Sequence, residues 1–113
     1  MVTSLNHPNY YPNNLRQTST IEVEEGLIVE MQFTAFDVQS YSWDSTCGYD
    51  YVTIKNGNGT TLMEKTCGSS LPAAVTSTSN IVEIYFHTDA NVSYSGWRLT
   101  WTAMTPGANT RFQ

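Results

Sequence analysis

Apolar residues alternate with polar ones along several short stretches of the chain, and no stretch shows the three-to-four spacing of a buried helix face. Leu27, Val29, Met31 and Phe33 fall on one face of the segment 27–36. Val52 and Ile54 share a face within 49–55. Val82, Ile84 and Phe86 alternate with Ile81, Glu83 and Tyr85 within 81–87. In 97–102, Trp97, Leu99 and Trp101 lie on one face and Arg98, Thr100 and Thr102 on the other, so both tryptophans are expected in the core. Weaker strands are expected at 18–23, at 60–66 and, as an edge, at 72–78. Asn56-Gly57-Asn58-Gly59 is a hairpin signal, because Asn and Gly accept the positive φ angles of tight turns. Residues 6–14 are rich in turn formers and read as irregular. The expected architecture is all-β: a two-sheet antiparallel sandwich over residues 1–104, with 105–113 as a linker or tail.

Composition agrees with that reading. The 113 residues suffice for one domain, and 40% are hydrophobic, which permits a real core. Thr, Val, Ile, Tyr and Trp suit strands. Only 13% of residues are charged, so Ser, Thr, Asn and Gln must supply most of the polar surface. The net charge of −5 comes from 5 basic against 10 acidic residues. That balance argues against nucleic acid and against anionic membranes, which both need basic clusters. No apolar run approaches the ~20 residues that span a bilayer, and the polar opening is not a signal peptide, so the chain reads as a mature piece. Cys47 and Cys67 lack the CxxC spacing or nearby His residues that redox or metal chemistry needs. They read as a disulfide, stabilising by roughly 3 kcal/mol and implying an extracellular, oxidising compartment.

A set of short motifs then appears in a fixed order. His7-Pro8-Asn9-Tyr10-Tyr11-Pro12-Asn13 resembles the SPNYP…YP opening of CUB domains, and Ile21-Glu22-Val23-Glu24-Glu25-Gly26 resembles the stretch before their third strand. Phe33-Thr34-Ala35-Phe36-Asp37-Val38-Gln39 resembles the family's F-x-x-F-D-L-E, and Cys47-Gly48-Tyr49-Asp50-Tyr51-Val52 its C-x-Y-D-x-V. Thr66-Cys67-Gly68 with Leu71-Pro72, then Phe86-His87-Thr88-Asp89, then Ser95-Gly96-Trp97, resemble the rest of the pattern. The resemblance covers about the first hundred residues. It implies a jelly-roll-like sandwich used as an interaction module in secreted mosaic proteins, with Cys47 and Cys67 as the family's second disulfide. Gln17 and Ser19 stand where many members have a cysteine and a tryptophan. The first disulfide is therefore absent, as in the CUB domains of complement-type proteases.

The resemblance also implies a calcium site. Asp50, Asp89 and Asn91 match ligand positions, Tyr11 matches a supporting tyrosine, and Gln39 stands where a Glu is usual. Calcium takes six to eight hard oxygens and binds more tightly as carboxylates are added, so one Ca2+ is expected at reduced affinity, with Asp44 as a candidate third carboxylate. The competing reading makes Asp50 and Asp89 ordinary turn acids bonded to backbone amides. Tyr41 and Trp43, in a polar loop, are candidate partner anchors, although Trp43 could instead cap the core. Asn58-Gly59-Thr60 and Asn91-Val92-Ser93 are glycosylation triplets, Asn58 at an expected hairpin tip and Asn91 in competition with metal. His7 and His87 have no nucleophile motif beside them and read as surface residues. The function these features favour is a non-catalytic, extracellular protein-binding module. Its acidic loop end would take a Lys or Arg of another protein. The alternative is a carbohydrate-binding or adhesion module using the loop aromatics.

Overall fold

A computed structural model describes residues 1–40, 47–90 and 92–106. Eight strands follow one another: β1 (Val2–Thr3), β2 (Arg16–Glu22), β3 (Ile28–Asp37), β4 (Tyr51–Asn56), β5 (Thr61–Thr66), β6 (Val75–Thr76), β7 (Ile81–His87) and β8 (Gly96–Met104). They form two four-stranded sheets, ordered β1-β8-β3-β6 and β2-β7-β4-β5, and each neighbouring pair is antiparallel. The alternation in the sequence maps directly onto this layering. Val29, Met31, Phe33 and Leu99 face inward from the first sheet, and Ile21, Val52, Ile54, Val82, Ile84 and Phe86 from the second. Burial of such a side chain stabilises by roughly 1.5–3 kcal/mol. Trp97 joins the two layers, with its ring edge-on to Phe33 at 6.0 Å and to Phe86 at 5.9 Å.

Strict alternation from Phe33 would turn Phe36 outward, yet both rings are buried and meet edge-to-face at 5.1 Å. A register shift between Phe33 and Ala35 explains this, because one extra residue rotates the strand and returns Phe36 and Val38 to the core. Trp101 departs from expectation. It lies opposite Met31 in the ladder but is 36% exposed. β1 pairs only with Arg98 and Leu99, so Trp101 sits on a part of β8 that β1 does not cover. The expected edge at 72–78 shrinks to Val75–Thr76, which pairs with Met31 and Glu30. β1 was not expected at all: two residues carry no visible period. The hairpin after β4 closes as expected through Asn56 N–H to Thr60 O at 2.8 Å. Gly57 is required there, since a Cβ would lie 2.9 Å from the Ile81 side chain. β8 ends at Met104, and residues 107–113 of the expected tail lie outside the described part.

Candidate functional site

At one end of the sandwich the β3–β4 connection meets the N-terminal segment at the Tyr11 hydroxyl. Tyr11 lies in the irregular N-terminal segment, where its backbone N–H donates to Tyr94 O at 3.0 Å and its ring packs edge-on against Phe86 at 4.9 Å. That packing drives the side chain through the core, and only 1% of the residue is exposed. Its hydroxyl emerges between the end of β3 and the start of β4. It donates to Asp50 Oδ2 at 2.6 Å and accepts from the Gln39 backbone N–H at 3.1 Å. The second oxygen of Asp50, Oδ1, accepts from the Asp89 backbone N–H at 2.8 Å. The buried Tyr11–Asp50 pair thus ties the N-terminal segment, the β3 exit and the β7 exit together.

The supporting shell is made of short polar residues. Thr88 Oγ1 accepts from Leu15 N–H at 2.7 Å and donates to Pro12 O at 2.9 Å, while Asn14 N–H donates to Asp89 O at 2.7 Å. Val38 and Gly68 exchange backbone hydrogen bonds of 2.9 and 2.8 Å. The Cys47–Cys67 disulfide, which spans 20 residues, pins the same corner. Ser4 Oγ accepts from Trp97 N–H at 3.0 Å. Gly96, at φ +87°, leaves room for Ser4 and for the Tyr11 ring, whose Cδ2 would be 3.3 Å from an added Cβ. Ser4, Thr88 and Gly96 were not singled out as site residues from sequence. Their roles come from contacts across 76 to 93 residues of chain, which no local pattern reports.

The electrostatics of this corner are unbalanced. The Asp50 carboxyl is pushed above the usual carboxylate range by burial first. The Tyr11 hydroxyl and the Asp89 amide pull it back, and the negative charge of Asp89 raises it again. Burial and then the bond to Asp50 likewise hold the Tyr11 phenol well above its ordinary value. Among the described residues, Gln39 Oε1 is a buried side-chain oxygen with no hydrogen-bond partner. An orphaned amide oxygen costs about 1–3 kcal/mol. Together with two acids held close enough to repel, it forms an all-oxygen donor set suited to a hard cation. Among the described residues no three His, Cys, Asp or Glu side chains gather as a metal cluster. The set is therefore carboxylate-poor, and calcium, which accepts neutral oxygens, fits it better than zinc, which favours nitrogen and sulfur.

Of the residues expected to act here, Tyr11, Gln39, Asp50 and Asp89 are brought together. Asn91, Tyr41, Trp43 and Asp44 lie outside the described residues. Asn58 sits exposed at the hairpin tip, where its Oδ1 accepts from Thr60 N–H at 3.0 Å. His7 is a strut, with Nδ1 donating to Ser95 O at 2.9 Å. His87 faces outward and stacks on Tyr51 at 4.8 Å. Burial lowers its pKa, Arg16 and Lys65 add to the effect, and Asp89 opposes it.

An antiparallel sandwich closed at one end by a buried Tyr–Asp pair and an oxygen-rich corner defines a small β-module. The chain belongs to the CUB domain family, whose model matches residues 1–101. It is 36% identical over 104 residues to human mannan-binding lectin serine protease 1, covering 91% of this chain and 14% of that protein. It is 30% identical over 109 residues to human cubilin, covering 95% of this chain and 3% of that protein. The CUB1-EGF-CUB2 region of human MASP-1/3 superposes with a TM-score of 0.83 at 38% identity, over 91% of this chain and 38% of that one. The MASP-1 CUB2 domain, whose crystal structure is bound to Ca2+, superposes with a TM-score of 0.80 at 34% identity over 88% of both chains. The chain thus spans a small fraction of the length of its curated relatives.

Proposed function

We propose that the chain is a non-catalytic, extracellular protein-interaction module whose binding end is organised by one calcium ion. The ligands are Asp50, Asp89, Gln39 and Asn91, and Tyr11 orients Asp50. One observation carries the reading: the partnerless Gln39 Oε1 beside the buried Tyr11–Asp50–Asp89 network. A divalent cation would relieve the repulsion between the two acids and use the orphaned oxygen. The calcium-bound MASP-1 CUB2 domain supports the choice of metal. The disulfide supports an oxidising compartment. Among the described residues no helix is long and apolar enough to cross a membrane.

Bound calcium would fix the β3 exit, the β4 start and the β7 exit relative to one another. The acidic oxygens would then be presented to a Lys or Arg of a partner, a polarity that suits a chain with a net charge of −5. Calorimetric titration with calcium tests the reading. The wild type should bind one ion per chain, and Gln39→Glu should tighten binding about tenfold, since it adds a carboxylate to the shell. Asp89→Ala should abolish the heat. An absence of heat and of thermal shift for the wild type at roughly millimolar calcium, the weak end of extracellular sites, would remove the proposal.

A further inference from the structure

The hairpin between β4 and β5 holds the chain's two Asn-Gly pairs, Asn56-Gly57 and Asn58-Gly59, one directly after the other. Every other asparagine precedes a residue with a side chain. The difference is chemical, because a glycine nitrogen has no side chain beside it to block its approach to the asparagine amide. The fold treats the two pairs in opposite ways. Asn56 is fully buried. Its Oδ1 accepts from Thr78 N–H at 3.1 Å and its Nδ2 donates to Thr78 Oγ1 at 2.8 Å, so both ends of the amide are fixed. Gly57 N–H donates to Ile81 O, on β7, at 2.7 Å. Asn58 lies in the stretch 57–61, all of it exposed. Among the described residues its amide has one bond, from Thr60 N–H to Oδ1 at 3.0 Å. Gly59 N–H donates to Asn56 O at 2.9 Å, a bond within the turn itself that water can replace.

We propose that Asn58 is a site of spontaneous deamidation and that Asn56, two residues away, is shielded from it. Once the turn opens, hydroxide takes the Gly59 amide proton. The freed nitrogen attacks Asn58 Cγ. The N–Cγ bond forms, the Cγ–Nδ2 bond breaks, and Nδ2 gains a proton from water and leaves as ammonia. Water then adds to one carbonyl of the cyclic imide and opens it to aspartate or isoaspartate. Thr60 N–H, already bonded to Oδ1, stabilises the charge that builds on that oxygen. Asn56 has an equivalent donor in Thr78 N–H, so polarisation does not separate the two sites. Freedom and water do. Asn56 Cγ reaches Gly57 N only by breaking both bonds to Thr78, in a place closed to solvent. Asn58 gives up one surface bond and stands in water. Either product lacks the amide nitrogen that a glycan would need. Isoaspartate also adds a methylene to the main chain inside the turn and displaces Gly59 N–H from Asn56 O.

The test incubates unglycosylated protein, native and in urea, at neutral and mildly alkaline pH. Peptide mapping then measures aspartate and isoaspartate at each position. In the native protein Asn58 should convert at least about tenfold faster than Asn56, since an exposed turn opens far more readily than a buried strand end. The rate at Asn58 should rise with pH, because the attacking nitrogen must lose its proton. In urea the two positions should convert at similar rates, which assigns the native difference to the fold. Gly59→Ala, compared with the wild type in urea so that folding plays no part, should slow Asn58 and leave Asn56 unchanged. An Asn58 that stays intact in the native protein while converting in urea would overturn the proposal, and so would equal native rates at the two positions. An Asn56 that resists conversion even in urea would overturn the shielding by the fold. Undiminished conversion in Gly59→Ala would overturn the attack by the Gly59 nitrogen.

Discussion

Single residues at the acidic end do several jobs at once, and Gly96 shows the cost of changing one. Its φ of +87° excludes a side chain on conformational grounds, and Ser4 and Tyr11 crowd the space a Cβ would take. Gly96→Ala should therefore destabilise by at least about 2 kcal/mol, from backbone strain alone or with displacement of Ser4. That corresponds to a fall in melting temperature of roughly 8 °C or more for a domain of this size. Because Tyr11 would be pushed off Asp50, calcium affinity should fall as well. A melting temperature within a degree or two of the wild type would show that the loop before β8 yields more easily than the packing suggests.

At the scale of elements, Gln17 links β2 to the N-terminal segment. Its Nε2 donates to Thr3 O at 3.1 Å and its Oε1 accepts from Leu5 N–H at 3.0 Å, so a β2 side chain grips the N-terminal segment. Gln17→Ala should cost about 1–2 kcal/mol, two ordinary hydrogen bonds being lost. It should also speed amide exchange at Leu5, readable by NMR, while β3 and β7 stay protected. Unchanged exchange at Leu5 would mean that Ser4 and β1 hold the segment without help. Elements such as β7 and β4 were legible in advance, because one wet face and one buried face impose a two-residue period. β1, the bulge after Phe33 and the exposure of Trp101 were not, because each depends on what a distant strand covers or leaves open. The candidate site was legible in the same partial way. Asp50, Asp89, Gln39 and Tyr11 could be marked through the CUB resemblance, but the clamp by Thr88, Ser4 and Gly96 exists only once the ends of the sandwich meet.

For the whole molecule, the strands set where each surface lies. β4 leaves the acidic corner at Asp50 and arrives six residues later at the hairpin that carries Asn58, a run of roughly 20 Å. Asn58 and Thr60 are both exposed, and the turn is held by the hydrogen bond between them, so the triplet is open to a glycosylating enzyme at the end remote from the acidic corner. Expressed through a eukaryotic secretory pathway, the domain should carry a glycan on Asn58, seen as a mass increment lost in Asn58→Gln. Because a strand's length separates the two ends, that variant should bind calcium with wild-type affinity and keep its stability within about 0.5 kcal/mol of the wild type, the usual range for a surface change. A calcium affinity that changed with the glycan would mean that the hairpin and the acidic corner communicate through β4. Absence of modification at Asn58 in secreted protein would show that the hairpin tip, although exposed, is not presented in a form the enzyme accepts.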